Sequence, residues 1–243
     1  MRPTSGAPLA QVGRGRGTLL GMSDLGMTEL GTTDESAAAL AAYAESAIIE
    51  DDALRSARAR AQELGATAVS PATGALLSLF TRIANAQHVV EIGTGVGVSG
   101  LWLLAGMPPT GILTTIDPEP EHHRAARQAF ADAGVAPGRT RLITGAPTDV
   151  LTRLADETYD VVFIDGPLLS YPAYVTEAVR ILRPGGVLVV NNASAGGTIA
   201  DPSSDDPRTF TAREAAQLIA DDDRLLPAVV PVGTGLLAAA KAR

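Results

Sequence analysis

The sequence predicts an α/β domain built on a mostly parallel sheet with helices on both faces. Three observations carry this. From residue 88 onward, short and near-continuously apolar runs alternate with stretches of helical period, the signature of strands covered on both sides. The chain then closes on two apolar runs around a glycine turn. Finally, 243 residues at 46% hydrophobic content suffice to fill a core on each side of a sheet. Aromatic residues are only 4% of the chain, so that core is expected to consist of Ala, Val, Leu and Ile.

Residues 1–33 are rich in Gly, Ser and Thr and hold no sustained period, which predicts a flexible N-terminal extension. Residues 34–243 are expected to form a single domain that includes the N-terminal helices. Asp34 is an N-cap candidate, and Leu40, Tyr43, Ala44, Ala47 and Ile48 share one helical face. A second helix over 51–64 stops at Gly65. A third over 71–84 opens on Pro71 and lines up Leu76, Leu77, Phe80, Ile83 and Ala84. Strands are predicted at 88–92, 112–116, 141–143, 160–164 and 186–191, with helices at 98–106, 119–133, 147–155 and 171–182. This βαβ alternation implies right-handed crossovers. After a polar loop at 201–207 and a helix at 208–220, residues 228–232 and 236–240 read as a hairpin around Gly233-Thr234-Gly235.

Charge and composition exclude several partners. A formal net charge of −8 repels polyanions, so neither nucleic acid nor an anionic membrane is an expected partner. The absence of Cys removes disulfides, thiolate metal sites and thiol nucleophiles, and three His leave little for zinc. No apolar run approaches the roughly 18 residues that span a bilayer, and no signal-peptide core follows the first arginines. A cytoplasmic protein is expected.

The run Val89-Val90-Glu91-Ile92-Gly93-Thr94-Gly95-Val96-Gly97-Val98-Ser99 joins the first strand to a helix. Alternate glycines let the backbone turn sharply toward a ligand, and the helix start offers free N–H groups. Asp117 follows 24 residues after Gly93 at the end of the second strand, where a carboxylate can grip a ribose diol. This context points to an adenosine-type ligand, either a dinucleotide or S-adenosylmethionine. Glu91, just before the first glycine, would repel a pyrophosphate and attract a sulfonium and an ammonium. His122 and His123, adjacent on a helix, point about 100° apart and read as solvated surface residues rather than a metal pair. Trp102, Tyr171 and Tyr174 read as packing residues.

These motifs resemble the class I S-adenosylmethionine-dependent O-methyltransferases, in particular the cation-dependent group related to catechol and caffeoyl-CoA O-methyltransferases. The resemblance covers about residues 69–243. It rests on Val69-Ser70-Pro71, Glu91-Ile92-Gly93-Thr94 with Gly97 and Ser99, Thr115-Ile116-Asp117, Gly145-Ala146, Phe163-Ile164-Asp165, Arg183-Pro184-Gly185-Gly186 and Asp223-Arg224. It implies a Rossmann-like sheet of seven strands whose last strand is antiparallel. It also implies that Val69 lines the methionine end, that Glu91, Gly93, Thr94 and Ser99 contact the cofactor's amino-acid part, and that Asp117 holds the ribose. Ala146 would lie beside the adenine. Asp165 would contact the cofactor and act as the catalytic group, and Asp165, Asn191 and Asn192 would stand at the divalent-cation position. A small-molecule acceptor and a homodimer are the implied partners.

Two departures matter. The family's fourth-strand motif ends on a Lys that is the usual proposed base, whereas Leu168 stands here; the family's Asp-Asn after the fifth strand is Asn191-Asn192. Hard cations are held by charged oxygens, so a site reduced to one carboxylate is degenerate toward Mg²⁺. The leading expectation is therefore an O-methyltransferase with weak or no metal dependence. The alternatives are a non-catalytic S-adenosylmethionine-binding paralogue and an NAD-dependent oxidoreductase. The last is disfavoured because no Tyr-x-x-x-Lys pair is present and Lys241 is the only lysine.

Overall fold

Among residues 34–243, which a computed structural model describes, seven strands form one sheet: β1 (His88–Ile92), β2 (Ile112–Asp117), β3 (Thr140–Thr144), β4 (Tyr159–Ile164), β5 (Leu182–Val190), β6 (Leu225–Val230) and β7 (Leu236–Lys241). Their order is β3-β2-β1-β4-β5-β7-β6. The first five are parallel, and β7 runs antiparallel to both β5 and β6. This is the expected Rossmann-like sheet with an antiparallel last strand. The extension expected over residues 1–33 lies outside the described residues.

Eight helices surround the sheet among these residues: α1 (Asp34–Ser46), α2 (Asp52–Glu63), α3 (Pro71–Ile83), α4 (Val98–Gly106), α5 (Pro120–Asp132), α6 (Pro147–Leu151), α7 (Tyr171–Ile181) and α8 (Pro207–Asp221). Strand alternation divides the core in two. Val89 faces a cluster with Leu54, Leu77, Leu103 and Phe130, while Val90 and Ile92 face Leu151, Tyr174, Val175 and Ala215. Caps follow the sequence. Asp51 accepts from the Leu54 N–H at 2.9 Å and Ser70 from the Thr73 N–H at 3.2 Å, the latter just before Pro71 in the first turn of α3. Trp102 packs against α3 at Gly74, where a Cβ would stand 2.3 Å from the indole. Lys241 is buried, and its Nζ donates to the Val179 and Leu182 carbonyls at 2.9 and 2.6 Å, tying β7 to the end of α7.

Boundaries differ from expectation where non-local contacts decide them. β5 begins at Leu182, not 186, because Arg183 reaches Asp160 at 2.5 Å and the Pro184-Gly185 irregularity is absorbed as a register shift against β4. β6 occupies 225–230 instead of 228–232. Pro231 cannot donate to the ladder, so pairing stops at Val230 with Leu236 and the turn has five residues. α6 ends at Leu151 in a tightened turn, with Arg153 N–H donating to the Val150 carbonyl. The apolar face predicted on α1 is split: Leu40 and Tyr43 are 69% and 68% exposed, whereas Ile48, beyond the helix end at Ser46, packs against the core.

Candidate active site

The C-terminal ends of parallel strands leave their backbone groups and loops free to meet a ligand. Here the ends of β1, β2 and β4 surround a cleft of about 440 Å³. Its wall includes Val69, Gly93, Thr94, Ser99, Asp117 and Asp165. It also includes residues that pattern reading passed over: Gly65 to Ala68, His122, Pro147, and the Gly166-Pro167 step. Asn192 reaches the wall. Glu91, Ala146 and Asn191 stand behind it, close in the chain to the wall residues Gly93, Pro147 and Asn192.

The turn after β1 is built by close approach. Gly93 has φ +95°, and a Cβ there would lie 2.4 Å from the Asp165 carbonyl oxygen, so β1 and β4 can close together only over a glycine. The Asp165 N–H donates to the Ile92 carbonyl at 2.8 Å and the Gly93 N–H to the Ile116 carbonyl at 2.9 Å, which pins three strand ends. Gly97, at φ +91°, opens α4 without a side-chain cap and leaves its first N–H groups free at the cleft.

Asp117 ends β2 with its carboxylate held from three sides. Oδ2 accepts from the Gly95 N–H at 3.0 Å, Oδ1 accepts from the Glu119 N–H at 2.9 Å, and His122 Nδ1 lies 3.1 Å from both oxygens. His122 thus lines the cleft beside Asp117, although 28% of its side chain stays exposed. Its position in the first turn of α5, five residues after Asp117, was the available signal. His123 corrects the same expectation in the other direction. It is buried, with Nδ1 3.0 Å from Thr144 Oγ1 and Nε2 3.4 Å from Thr94 Oγ1, and burial lowers its pKa. The 100° step between neighbours on α5 turns one ring to the cleft and the other to the core.

Beneath the glycine turn, Glu91 is fully buried. Thr115 Oγ1 donates to its Oε2 at 2.6 Å and lies 2.7 Å from Thr94 Oγ1. Oε1 has no partner of ordinary hydrogen-bond geometry, although the Ser99 hydroxyl is near enough to favour its charged form. Burial pushes this carboxyl from 4.5 up to about 8, against the Ser99 and Thr115 hydroxyls and with the help of the Asp165 and Asp117 charges.

Asp165 sits at the end of β4, where the loss of surrounding water lifts its carboxyl to about 7 against the opposing Asn191 hydrogen bond. Its Oδ1 accepts from Asn191 Nδ2 at 2.9 Å and Asn192 Nδ2 at 3.1 Å. The Asn191 amide oxygen is engaged by Thr234 Oγ1 at 3.2 Å, which turns the amide nitrogen toward Asp165. A hard cation needs converging oxygens, and this set presents one carboxylate and two amide N–H groups, so these residues do not fit the cation of the resembled group. Among the described residues, no three His, Cys, Asp or Glu side chains gather in metal-binding fashion. Leu168 is buried in the core cluster with Tyr171 and Val175 and does not face the cleft, so the family's base position is part of the packing here.

Comparison with known proteins agrees with this geometry. The family model described as O-methyltransferase matches residues 39–242. A Mycobacterium avium (strain 104) relative, provisionally named O-methyltransferase, is 57% identical over 205 residues, covering 84% of this chain and 92% of its own. Among solved structures, the O-methyltransferase TomG of Streptomyces achromogenes, involved in tomaymycin synthesis and crystallised with S-adenosylmethionine, superimposes with TM-score 0.76. It is 32% identical, covering 84% of this chain and 96% of TomG. A Bacillus cereus O-methyltransferase in complex with S-adenosylhomocysteine gives TM-score 0.76 at 29% identity, covering 84% and 97%. The chain belongs to the O-methyltransferase family.

Proposed function

We propose that this chain binds S-adenosylmethionine in the cleft and methylates a hydroxyl oxygen of a small molecule without requiring a divalent cation. The observation that carries the reading is the convergence of the left-handed glycine turn, the uncapped start of α4 and Asp117 on one cleft. When bound, the cofactor supplies a methyl group on a positively charged sulfur. Asp117 receives the ribose hydroxyls, held in place by Gly95 and His122. Val69, Gly93, Thr94 and Ser99 receive the amino-acid end, and Ala146 supports the adenine side through its neighbour Pro147. Glu91 acts from beneath the turn as the buried acid whose charged form balances the cofactor's positive charges.

Asp165 is the proposed general base. Its Oδ1 is occupied by the two asparagine amides, which leaves Oδ2 to take the proton from the acceptor hydroxyl. A carboxyl lifted to about 7 is matched to that task near neutral pH. Alignment of the acceptor oxygen with the methyl group supplies much of the remaining acceleration.

Calorimetric titration tests the cofactor. S-adenosylmethionine and S-adenosylhomocysteine are expected to bind and NAD is not. Asp117→Ala should weaken binding by about 1–3 kcal/mol, the scale for stranding buried polar groups. NAD binding as tight as that of S-adenosylmethionine would overturn the assignment. Cofactor binding without turnover on any hydroxyl acceptor would favour the non-catalytic paralogue, the reading that Leu168 and the two asparagines motivate.

The metal prediction follows from the donor set. Turnover on a catechol panel should be the same with Mg²⁺ and with EDTA. Asn191→Asp, which adds a second carboxylate, should raise Mg²⁺ affinity at least tenfold, the scale of one near-contact charge. Chelator-sensitive turnover in the wild type would show that one carboxylate and two amides do hold the ion. Adding Leu168→Lys is not expected to help, since it would bury an ammonium in the core.

We further propose a cytoplasmic homodimer in which a second copy covers Leu40 and Tyr43 of α1; its mass in solution reads this directly. Among the described residues, no helix is long and apolar enough to cross a membrane.

A further inference from the structure

A continuous line of hydrogen bonds joins the buried carboxyl of Glu91 to the protein surface. Glu91 in β1, Thr115 in β2, Thr94 in the glycine turn and His123 in α5 are each at most 1% exposed. Glu91 Oε2 lies 2.6 Å from Thr115 Oγ1, which in turn lies 2.7 Å from Thr94 Oγ1. Thr94 Oγ1 lies 3.4 Å from His123 Nε2, the longest link, and His123 Nδ1 lies 3.0 Å from Thr144 Oγ1. Thr144, at the end of β3, is exposed. Among the described residues, neither buried threonine hydroxyl nor the His123 ring has a further hydrogen-bond partner, so the line does not branch.

A hydroxyl has one proton to donate, so the direction of the first link sets the rest. A proton on Glu91 Oε1 would have no acceptor of ordinary geometry, which leaves it on Oε2. Protonated Glu91 then donates to Thr115, Thr115 to Thr94 and Thr94 to His123 Nε2. The neutral imidazole carries its own proton on Nδ1 and donates to Thr144. When Glu91 is ionised every link reverses: Thr115 donates to the carboxylate, Thr94 to Thr115, His123 Nε2–H to Thr94 and Thr144 to Nδ1. One proton handed along each link converts the first state into the second. Glu91 loses a proton, water at Thr144 gains one, and His123 is neutral at both ends of the exchange with only its tautomer changed.

The surroundings suit both roles. Burial holds the Glu91 carboxyl up at about 8, so the free protein near neutrality starts with the proton in place. The Ser99 hydroxyl of α4 favours its ionisation, and Asp165 on β4 and Asp117 on β2 oppose it. Burial, with Arg127 and His122 on α5, lowers the pKa of His123 against the pull of Asp117, which keeps the ring neutral.

We propose that these residues form a proton relay: the positive charges of S-adenosylmethionine drive the Glu91 proton to water through Thr115, Thr94, His123 and Thr144, and methyl transfer, which leaves the sulfur neutral, draws it back. The relay lets the site present a carboxylate to the methyl donor and a neutral acid to the product. It rests on the cofactor reading given above.

Nitrogen-15 NMR of histidine-labelled protein tests it. The two ring nitrogens report the tautomer directly, and the chain has three histidines in all. Without cofactor, His123 should pass from the Nδ1–H to the Nε2–H tautomer as pH rises through about 8. At neutral pH, saturating S-adenosylmethionine should produce the same shift and S-adenosylhomocysteine a smaller one. Glu91→Gln has no proton to pass and should hold His123 in one tautomer throughout. Thr94→Val interrupts the line and should uncouple the tautomer from pH; the wild-type titration decides the matter even if neither variant folds. A wild-type tautomer that ignores pH, or a shift that persists in Glu91→Gln, overturns the relay. A shift with pH that bound S-adenosylmethionine does not reproduce overturns the cofactor's part in it. Failure of S-adenosylmethionine to bind counts instead against the cofactor reading, and the cofactor-free titration still decides the relay.

Discussion

Gly93→Ala is expected to abolish cofactor binding and to destabilise the fold by roughly 3 kcal/mol or more, the combined scale of a strained backbone and an overpacked contact. The residue sits at φ +95°, outside the region an alanine adopts readily. Its new Cβ would meet the Asp165 carbonyl oxygen at 2.4 Å and the carbonyl carbon at 2.8 Å. Both atoms are backbone, so no side chain can rotate away. The ends of β1 and β4 must separate instead, which moves Asp165 away from the glycine turn. Gly95→Ala is the matched control: at φ +47° its Cβ meets only the Thr67 carbonyl oxygen at 3.8 Å, and the expected loss is about 1–2 kcal/mol from backbone conformation alone. Urea unfolding and S-adenosylhomocysteine titration of both variants separate strain from contact. Equal behaviour of the two would show that close approach is not what fixes Gly93.

The part of the site that includes Gly93 was legible in the sequence for the same reason. The strand, the glycine turn and the helix start are local in sequence, and each leaves its own mark: an apolar run, alternate glycines, a return to helical period. Asp117 was legible because it ends the next strand in a fixed parallel register. His123 was not, since its burial depends on how α5 rolls against β2 and β3. The edge of β6 escaped pattern reading because Pro231 sits inside an apolar run that otherwise continues to Val232. An apolar cavity of about 190 Å³ walled by Tyr171, Val190, Ala215, Val229 and Leu237 is assembled from α7, β5, α8, β6 and β7, and no window of sequence contains them together. Asp165, Asn191 and Asn192 stand between these cases. The resemblance brought them together, but only the geometry turned both amide nitrogens toward the carboxylate.

Glu91→Gln is expected to make the protein more stable at pH 8 and a poorer binder of its cofactor. Below pH 4.5 the Glu91 carboxyl is protonated in native and unfolded chains alike and has no effect on stability. Between 4.5 and about 8 the unfolded chain ionises while the native chain keeps its proton, so stability falls by about 1.4 kcal/mol per pH unit. Near neutrality the accumulated loss is on the order of 3 kcal/mol, and above about 8 it stops growing because both states are ionised. Glutamine is neutral throughout and keeps an oxygen for the Thr115 hydroxyl, so it lacks this penalty. The two proteins should be similarly stable at pH 5 and diverge steadily to pH 8, with Asp165 leaving a smaller shared decline in both. Binding should change in the opposite sense. Glutamine offers no charge to a cationic ligand, so affinity for S-adenosylmethionine should fall more than affinity for S-adenosylhomocysteine, whose sulfur is neutral. Denaturant melts at half-unit pH steps, paired with titrations of both ligands, read the two effects together. Parallel stability curves for wild type and variant would mean that Glu91 is ionised in the folded protein at neutral pH. In that case its unpaired Oε1 would not be the stored cost that the cofactor relieves.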